Sequence, residues 1–216
     1  MNDVFSVMMR DKLVLIARGI RTEVLSQALS VCADQGITLF ESTFDHRLPN
    51  CLEENREKLK ELKKQVGDRL RFGAGTVLNM DEVHAAADAG VEFIVSPNTD
   101  EAVIAETRRL GLVSVPGAFT PTEIVRAWNA GAHIVKLFPA DDLGFHYLQN
   151  LKGPLPHIPL LATGGVNPVT IPQFLKAGVS AVGTGITILR PDLVAEENYE
   201  QIGILAKMHV DAIRMA

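Results

Sequence analysis

The sequence predicts an α/β fold: a (β/α)8 TIM barrel of parallel strands, in a single compact domain over residues 1–216. Three observations predict it. Helical and apolar stretches alternate along the chain, glycines at 36, 90, 131 and 178 end helical stretches directly before apolar runs, and those runs are too apolar for strands buried on one face only. Eight such units in one series favour a closed barrel, and an open doubly wound sheet is the alternative.

The strands are predicted from short apolar runs that end in small or chemically active residues. They are 12–17, 37–41, 70–74, 91–95, 112–115, 133–138, 159–162 and 180–183. Residues 1–10 are expected to form an N-terminal lead-in segment before the first strand.

The helices are predicted from apolar residues that recur with the helical period. In the stretch 51–66, for example, Leu52, Leu59, Leu62 and Val66 lie on one face. The predicted helices are 22–34, 51–66, 81–89, 100–110, 121–130, 143–151, 168–177 and 199–215. No shift in composition and no linker-like run marks a second domain.

Composition and charge favour small-molecule chemistry. The net charge of −5 and the isoelectric point of about 5.7 give no basic surface for nucleic acid or for an anionic membrane. No secretory signal and no apolar stretch of membrane-spanning length is present, and two cysteines, Cys32 and Cys51, suggest a reducing compartment, so a cytoplasmic location is predicted. The six histidines show no metal-binding spacing, and neither a metal nor a cofactor is expected.

One lysine, Lys136, interrupts the apolar run 132–140. Burying an unpaired ammonium is costly, so such a lysine has a lowered pKa, pairs with an acid, or reaches water at a strand end. Side chains alternate along a strand, so Lys136 shares a face with Ile134 and Phe138. If this face points inward, Lys136 lies at the mouth of the barrel, where barrel enzymes have their active sites.

Glu41 is predicted to reach the same mouth. It ends the second strand, on the face that it is expected to share with Ile37 and Leu39. A lysine of lowered pKa is a nucleophile towards carbonyls, and a carboxylate beside it is a candidate acid or base. The alternative is a buried ion pair without a catalytic role.

Two glycine-rich turns, 163–165 and 183–185, follow the seventh and eighth predicted strands. Backbone amides at a helix start bind anions, and many barrels hold phosphate at this position. The alternative is that these glycines serve only tight turns. The second turn lacks the third glycine and the acidic partner of a dinucleotide-binding fingerprint.

Six motifs at strand ends occur in one order along nearly the whole chain. They are Glu41-x-Thr43, Gly73-Ala74-Gly75-Thr76-Val77-Leu78, Ser96-Pro97, Pro116-Gly117 with Thr120-Pro121-Thr122-Glu123, Lys136-x-Phe138-Pro139-Ala140 and Thr163-Gly164-Gly165-Val166. Together they resemble the 2-keto-3-deoxy-6-phosphogluconate and 4-hydroxy-2-oxoglutarate aldolases. No single motif carries this resemblance, but the joint pattern is specific.

The resemblance implies a class I aldolase, a lyase, in which Lys136 forms the Schiff base and Glu41 shuttles protons. Its substrate would be a 2-keto-3-deoxy sugar acid, phosphorylated at carbon 6, or 4-hydroxy-2-oxoglutarate. The products would be pyruvate and an aldehyde, either glyceraldehyde 3-phosphate or glyoxylate. The substrate-binding residues implied are Arg18, Thr76, Pro97, Phe138, Gly164, Gly165, Gly183 and Thr184. Family members are usually homotrimers, and the resemblance implies a homotrimer here.

The sequence departs from the family pattern at two places. Asp45 stands where the family commonly has an arginine for the substrate carboxylate, so either Arg47 takes that place, Arg18 acts alone, or the substrate differs. Gly185 stands where a serine is frequent, with Thr187 beyond it.

Two other functions are compatible with these residues. In a phosphate-binding isomerase or epimerase, Lys136 and Glu41 would act as acid and base without an imine. In a non-catalytic sugar-phosphate sensor, the changes at Asp45 and Gly185 would have removed activity while the scaffold was kept.

Overall fold

The computed structural model describes residues 3–142 and 144–216. The first two residues of the predicted lead-in segment, and Leu143 at the start of a predicted helix, lie outside the described residues.

Strands and helices alternate along the chain, as predicted. The strands are β1 (Leu13–Ala17), β2 (Leu39–Thr43), β3 (Arg71–Gly75), β4 (Phe93–Val95), β5 (Val113–Val115), β6 (Gly117–Ala118), β7 (Val135–Leu137), β8 (Leu160–Thr163) and β9 (Ala181–Thr184). The helices are α1 (Asp3–Asp11), α2 (Thr22–Asp34), α3 (Cys51–Val66), α4 (Met80–Asp88), α5 (Glu101–Arg109), α6 (Pro121–Asn129), α7 (Gly144–Lys152), α8 (Ile171–Lys176), α9 (Pro191–Ala195) and α10 (Tyr199–Arg214).

The nine strands form one parallel sheet in the order β5-β4-β3-β2-β1-β9-β8-β7-β6. Its two end strands are consecutive pieces of one stretch, divided at Pro116, where proline has no N–H for the sheet. The first piece pairs with β4 and the second with β7, and the Pro116 carbonyl accepts a hydrogen bond of 2.8 Å from the Lys136 amide. The sheet is therefore closed: the predicted barrel is confirmed and the open sheet is wrong.

Alternation along the strands divides the buried side chains into two cores. The interior cluster contains inward residues of the strands, including Val14, Leu39, Phe93 and Ile134, and a larger outer cluster lies between the sheet and the helices. Ile37, predicted to share the inward face of Glu41, belongs instead to the outer cluster. The reason is that β2 begins only at Leu39, so the strand alternation does not extend back to residue 37.

Helix α1 closes the barrel at the end opposite the strands' carboxyl ends. The sequence analysis assigns only a lead-in segment here, yet Val4, Val7 and Met8 are buried and belong to the interior cluster. Their spacing places them on one face of the helix. Without this face, the apolar floor of the barrel would be open to water.

Truncating Met8 to alanine is expected to destabilise the protein by about 2–4 kcal/mol, because the fully buried side chain would leave a cavity in the barrel floor. The free energy of unfolding in urea measures the loss. A matched control is Met215→Ala, which truncates a methionine that is 81% exposed and should change stability by less than about 0.5 kcal/mol. Equal effects of the two substitutions would contradict the assigned role of α1.

The predicted helices are present with small differences at their ends. Helix α8 begins three residues later than predicted, because the Asn167 side chain accepts hydrogen bonds from the amides of Val169 and Thr170 and holds a turn before the helix. Helix α9 was not predicted from the sequence. In the described part of the chain, no helix has the length and apolar character needed to cross a membrane.

Candidate active site

Lys136 lies on β7 and points into the barrel. Its neighbours Val135 and Leu137 belong to the outer cluster and Ile134 to the interior cluster, which confirms the predicted alternation. The lysine is only 7% exposed, and its Nζ lies 4.9 Å from the centre of the Phe138 ring. Burial lowers the pKa of Lys136, while the negative charge of Glu41 partly opposes this shift.

Glu41 lies on β2, is 2% exposed and faces the same space. Its carboxyl group occupies the position that a side chain at residue 75 would take: a Cβ on Gly75 would lie 1.8 Å from Glu41 Oε1. Burial raises the pKa of Glu41, and the positive charges of Lys136 and Arg18 oppose this rise. Within the described residues no hydrogen bond or salt bridge joins Glu41 to Lys136, although their charges interact.

Arg18 follows β1 and reaches across the mouth to Thr76, after β3. Its Nη2 donates a hydrogen bond of 2.8 Å to Thr76 Oγ1. Thr76 has a positive φ of 59°, which is rare for a β-branched residue and is maintained only where the surroundings hold it. The predicted residues Arg18 and Thr76 are thus brought together, and the Arg18 charge also acts on Glu41 and Lys136.

The segment that departs from the family pattern is held by an ion pair and by a contact of hydrogen-bond length. Arg47 donates to both carboxylate oxygens of Asp45, at 2.8 and 2.6 Å, and its guanidinium lowers the pKa of Asp45 to about 2. His46 Nε2 lies 2.8 Å from an oxygen of the buried Glu82. In the structure Arg47 is therefore engaged by Asp45, and Arg18 is the arginine that reaches the mouth.

A cavity of about 760 Å³ opens at the carboxyl ends of the strands. Among its lining residues are six of the predicted site residues, namely Arg18, Phe138, Gly164, Gly165, Gly183 and Thr184. Phe138 joins the cavity to the lysine, because it lines the cavity and its ring centre lies 4.9 Å from Lys136 Nζ. The other five predicted site residues do not line this cavity: Lys136, Glu41, Thr76, Pro97 and Arg47. The Pro97 carbonyl instead packs over Gly117, where a Cβ would lie 2.3 Å from its oxygen.

The two glycine turns line the cavity with free backbone amides. In the described part of the chain, no acceptor is hydrogen-bonded to the N–H groups of Gly164, Gly165, Gly185 and Ile186. These turns do not start helices, however, since α8 and α9 begin only at Ile171 and Pro191. The prediction of amides at a helix start is therefore wrong, and any anion affinity would come from the loop amides alone.

Close backbone packing explains several of these glycines. A Cβ on Gly185 would lie 2.0 Å from the Ile16 carbonyl oxygen, which leaves no room for the serine that the family often has. Gly164 and Gly165 have φ values of 108° and 66°, and a Cβ on either would meet Asp141 at about 2.5 Å. The glycines are thus required by the fold, and the amides of Gly164, Gly165 and Gly185 have no acceptor among the described residues.

Two buried hydroxyl groups, those of Thr43 and Thr163, have no hydrogen-bond partner among the described residues. Thr163 lines the cavity, and its Oγ1 would lie 3.0 Å from a Cβ on Gly183. Unpartnered buried hydroxyls are rare in proteins and need an explanation, such as a ligand. Both residues occur in the sequence motifs, but only the tertiary structure shows that their hydroxyls are unpartnered.

Comparison with known proteins identifies the family. Residues 4–205 match the family described as "Aldolase: KDPG and KHG aldolase". The chain belongs to the KDPG and KHG aldolase family. The resemblance predicted from the strand ends is thereby confirmed.

Named relatives and solved structures of this aldolase family agree with the match. The chain is 30% identical over 203 residues to the 2-dehydro-3-deoxy-6-phosphogalactonate aldolase of Escherichia coli K12, covering 94% of this chain and 96% of that protein. It is 27% identical to the KHG/KDPG aldolase of the same organism, covering 74% and 75%. A structure described as "Native KDPGal structure" is similar with a TM-score of 0.82 at 33% identity and 94% coverage of both chains. A 4-hydroxy-2-oxoglutarate aldolase/2-deydro-3-deoxyphosphogluconate aldolase from TTHB1 gives a TM-score of 0.80 at 30% identity and 98% coverage of both chains.

Proposed function

We propose that this protein is a class I aldolase that cleaves a 2-keto-3-deoxy-6-phospho sugar acid to pyruvate and glyceraldehyde 3-phosphate. The observation that carries the proposal is the pair of Lys136 and Glu41 at the inner mouth of the barrel. Burial shifts their pKa values in opposite directions, and both shifts favour the uncharged forms. Uncharged lysine is the form that attacks a carbonyl.

In the first step, the neutral amine of Lys136 attacks the C2 carbonyl of the keto acid and gives a carbinolamine. The uncharged Glu41 carboxyl then gives its proton to the departing hydroxyl group, so that water leaves and a protonated imine on Lys136 and a Glu41 carboxylate remain. Arg18, held towards the mouth by Thr76, is the cation available for the substrate carboxylate, because Arg47 is paired with Asp45.

In the second step, Glu41 takes the proton of the C4 hydroxyl, directly or through a water molecule. The C3–C4 bond breaks, the aldehyde leaves, and the electron pair passes to C3 as an enamine that the imine nitrogen stabilises. Glu41 then returns a proton to C3. Water hydrolyses the protonated imine to pyruvate and the neutral amine, and the proton that is released passes to the Glu41 carboxylate. A buried carboxyl group with a raised pKa suits both the uptake and the return of the proton.

The phosphate end of the substrate would bind at the two glycine turns. The free amides of Gly164, Gly165, Gly185 and Ile186 fit the oxygens of a phosphate, and the Thr163 hydroxyl fits a hydroxyl group of the sugar chain. The names of the relatives, which act on phosphogalactonate and phosphogluconate, support a phosphorylated sugar acid.

Trapping with pyruvate and sodium borohydride tests the proposal. The imine should be reduced to a stable secondary amine, and peptide mass spectrometry should place the pyruvyl group on Lys136. Turnover of the phospho sugar acids without any adduct would support an isomerase or epimerase instead. Thermal stabilisation by sugar phosphates without pyruvate release would support a sensor.

Replacing Thr163 by valine should lower kcat/KM for the phospho sugar acid by about tenfold without lowering stability. The substitution removes a hydroxyl that has no partner in the protein but fits the substrate, and one such hydrogen bond contributes about 0.5–1.5 kcal/mol. Steady-state kinetics and thermal melting measure the two effects. The control Thr107→Val removes a buried hydroxyl that donates to Val103 on α5, so it should lower stability and leave kcat/KM unchanged.

A homotrimer, a cytoplasmic location and the single domain over residues 1–216 stay predictions. A solution mass of three times the 23.5 kDa of the chain would support the trimer.

A further inference from the structure

A buried polar network connects both glycine turns to helix α10. Thr184 Oγ1 and Thr187 Oγ1 lie 2.8 Å apart, and each lies within hydrogen-bonding distance of the Val166 carbonyl oxygen, at 3.1 and 3.2 Å. Val166 directly follows Gly165 in the first turn, Thr184 belongs to the second turn, and Thr187 lies two residues after that turn. The network therefore fixes one turn against the other.

His209 on α10 anchors this network. Its ring is fully buried, with Nε2 2.9 Å from Thr187 Oγ1 and Nδ1 2.7 Å from the Leu205 carbonyl oxygen. A carbonyl only accepts hydrogen bonds, so Nδ1 is the donor. Burial lowers the pKa of His209 and so favours the uncharged ring, in which Nε2 accepts from the Thr187 hydroxyl. Thr187 has one proton, so the hydrogen bond to the Val166 carbonyl then comes from Thr184.

In the part of the chain that the structure describes, no other side-chain hydrogen bond links the second turn or the residues up to Thr187 to a helix. The Thr184 hydroxyl is engaged by Val166 and Thr187, and the next residue, Gly185, has no side chain. Ile186 is 71% exposed. Among the described residues, the hydrogen bond between Thr187 and His209 is thus the side-chain contact that links this segment to α10.

We infer that His209 is a positioning residue that, through Thr187, holds the two glycine turns in the geometry that receives the phosphate end of the substrate. The inference rests on the proposed function. In this role His209, which lies on the last helix and does not line the cavity, affects recognition of the acceptor aldehyde. His209 is expected to have no effect on imine formation, because Lys136 lies on a different strand.

The test compares Thr187→Val and His209→Leu with the unchanged protein in the aldol addition of pyruvate. Acceptors are glyceraldehyde 3-phosphate and glyceraldehyde. Both variants should raise KM for the phosphorylated acceptor by roughly ten- to a hundredfold, as expected for a misplaced binding loop. KM for glyceraldehyde and the rate of borohydride trapping with pyruvate should stay within about twofold. Trapping also shows that the barrel around Lys136 is folded in each variant.

Two further variants separate positioning from general stability. His209→Gln offers Thr187 an uncharged acceptor near the position of Nε2, and it should restore most of the phosphate preference. Met208→Ala truncates a half-exposed neighbour on the same helix and should leave both KM values unchanged.

The outcomes distinguish this inference from the function on which it rests. If the protein without substitutions forms no adduct, the proposed function is overturned. If its KM is equal for the two acceptors, the phosphate part of the proposed function is overturned. A phosphate preference that persists in Thr187→Val and His209→Leu overturns the positioning role alone. A lower rate of trapping together with higher KM values for both acceptors would also overturn it, because these changes would indicate a structural role only.

Discussion

Replacing Lys136 by methionine is expected to abolish both aldol cleavage and borohydride trapping. Methionine has a similar volume and fits the buried position, so the fold should persist, but no amine remains to form the imine. Removal of a covalent nucleophile typically lowers kcat by about 10⁶-fold, down to the residual rate. Pyruvate release in a coupled assay and mass spectrometry of the reduced adduct measure the two losses.

The matched control is Lys152→Met, because Lys152 is a second lysine whose pKa is lowered by burial. It lies on α7, where it donates to the carbonyls of Pro156 and Ile158. This variant should retain trapping and turnover. An adduct that persists in Lys136→Met, or one that disappears in Lys152→Met, would be incompatible with Lys136 as the Schiff-base residue.

Glu41→Gln is expected to separate imine formation from carbon–carbon cleavage. Glutamine fills the same space but cannot carry the proton, so kcat should fall by about 10²–10⁴-fold, as expected for loss of a general acid–base group. Trapping with pyruvate should persist, because Lys136 is still present. Rapid-quench kinetics would measure cleavage, and borohydride trapping would measure the imine.

The same variant gives a pH prediction with a definite sign. The negative charge of Glu41 raises the pKa of Lys136, so its removal should lower that pKa further. The neutral amine would then be available at lower pH, and the rate of trapping in Glu41→Gln should reach its plateau at a lower pH than in the unchanged protein. A plateau moved to higher pH, or Glu41→Gln turnover equal to that of the unchanged protein, would contradict the assigned role.

Sequence reasoning predicted the strands well because each is a short apolar run with a recognisable end. The inward direction of Lys136 and Glu41 followed from alternation, and alternation is local. The same reasoning failed for Ile37, since the start of a strand depends on where hydrogen bonding to the neighbouring strand begins. It also missed α1, whose apolar face is explained only by the open floor of the barrel.

The glycine turns also show which features the sequence predicts and which only the structure reveals. The sequence indicated tight turns near a phosphate position, but it could not show that Gly185 is required by the Ile16 carbonyl or that Asp141 packs against Gly164. These contacts join residues far apart in the chain. For the same reason, the sequence could not choose between Arg47, Arg18 and a different substrate, whereas the structure pairs Arg47 with Asp45.

By itself, the sequence determined the barrel, the family and the two charged residues at its inner mouth, because strand periodicity and the order of motifs are properties of the linear chain. Tertiary structure alone decided which arginine reaches the mouth, which hydroxyls lack a partner, and how His209 on the last helix reaches the glycine turns. Hydrogen bonds and burial depend on what surrounds a residue in space, and here those surroundings come from distant parts of the chain.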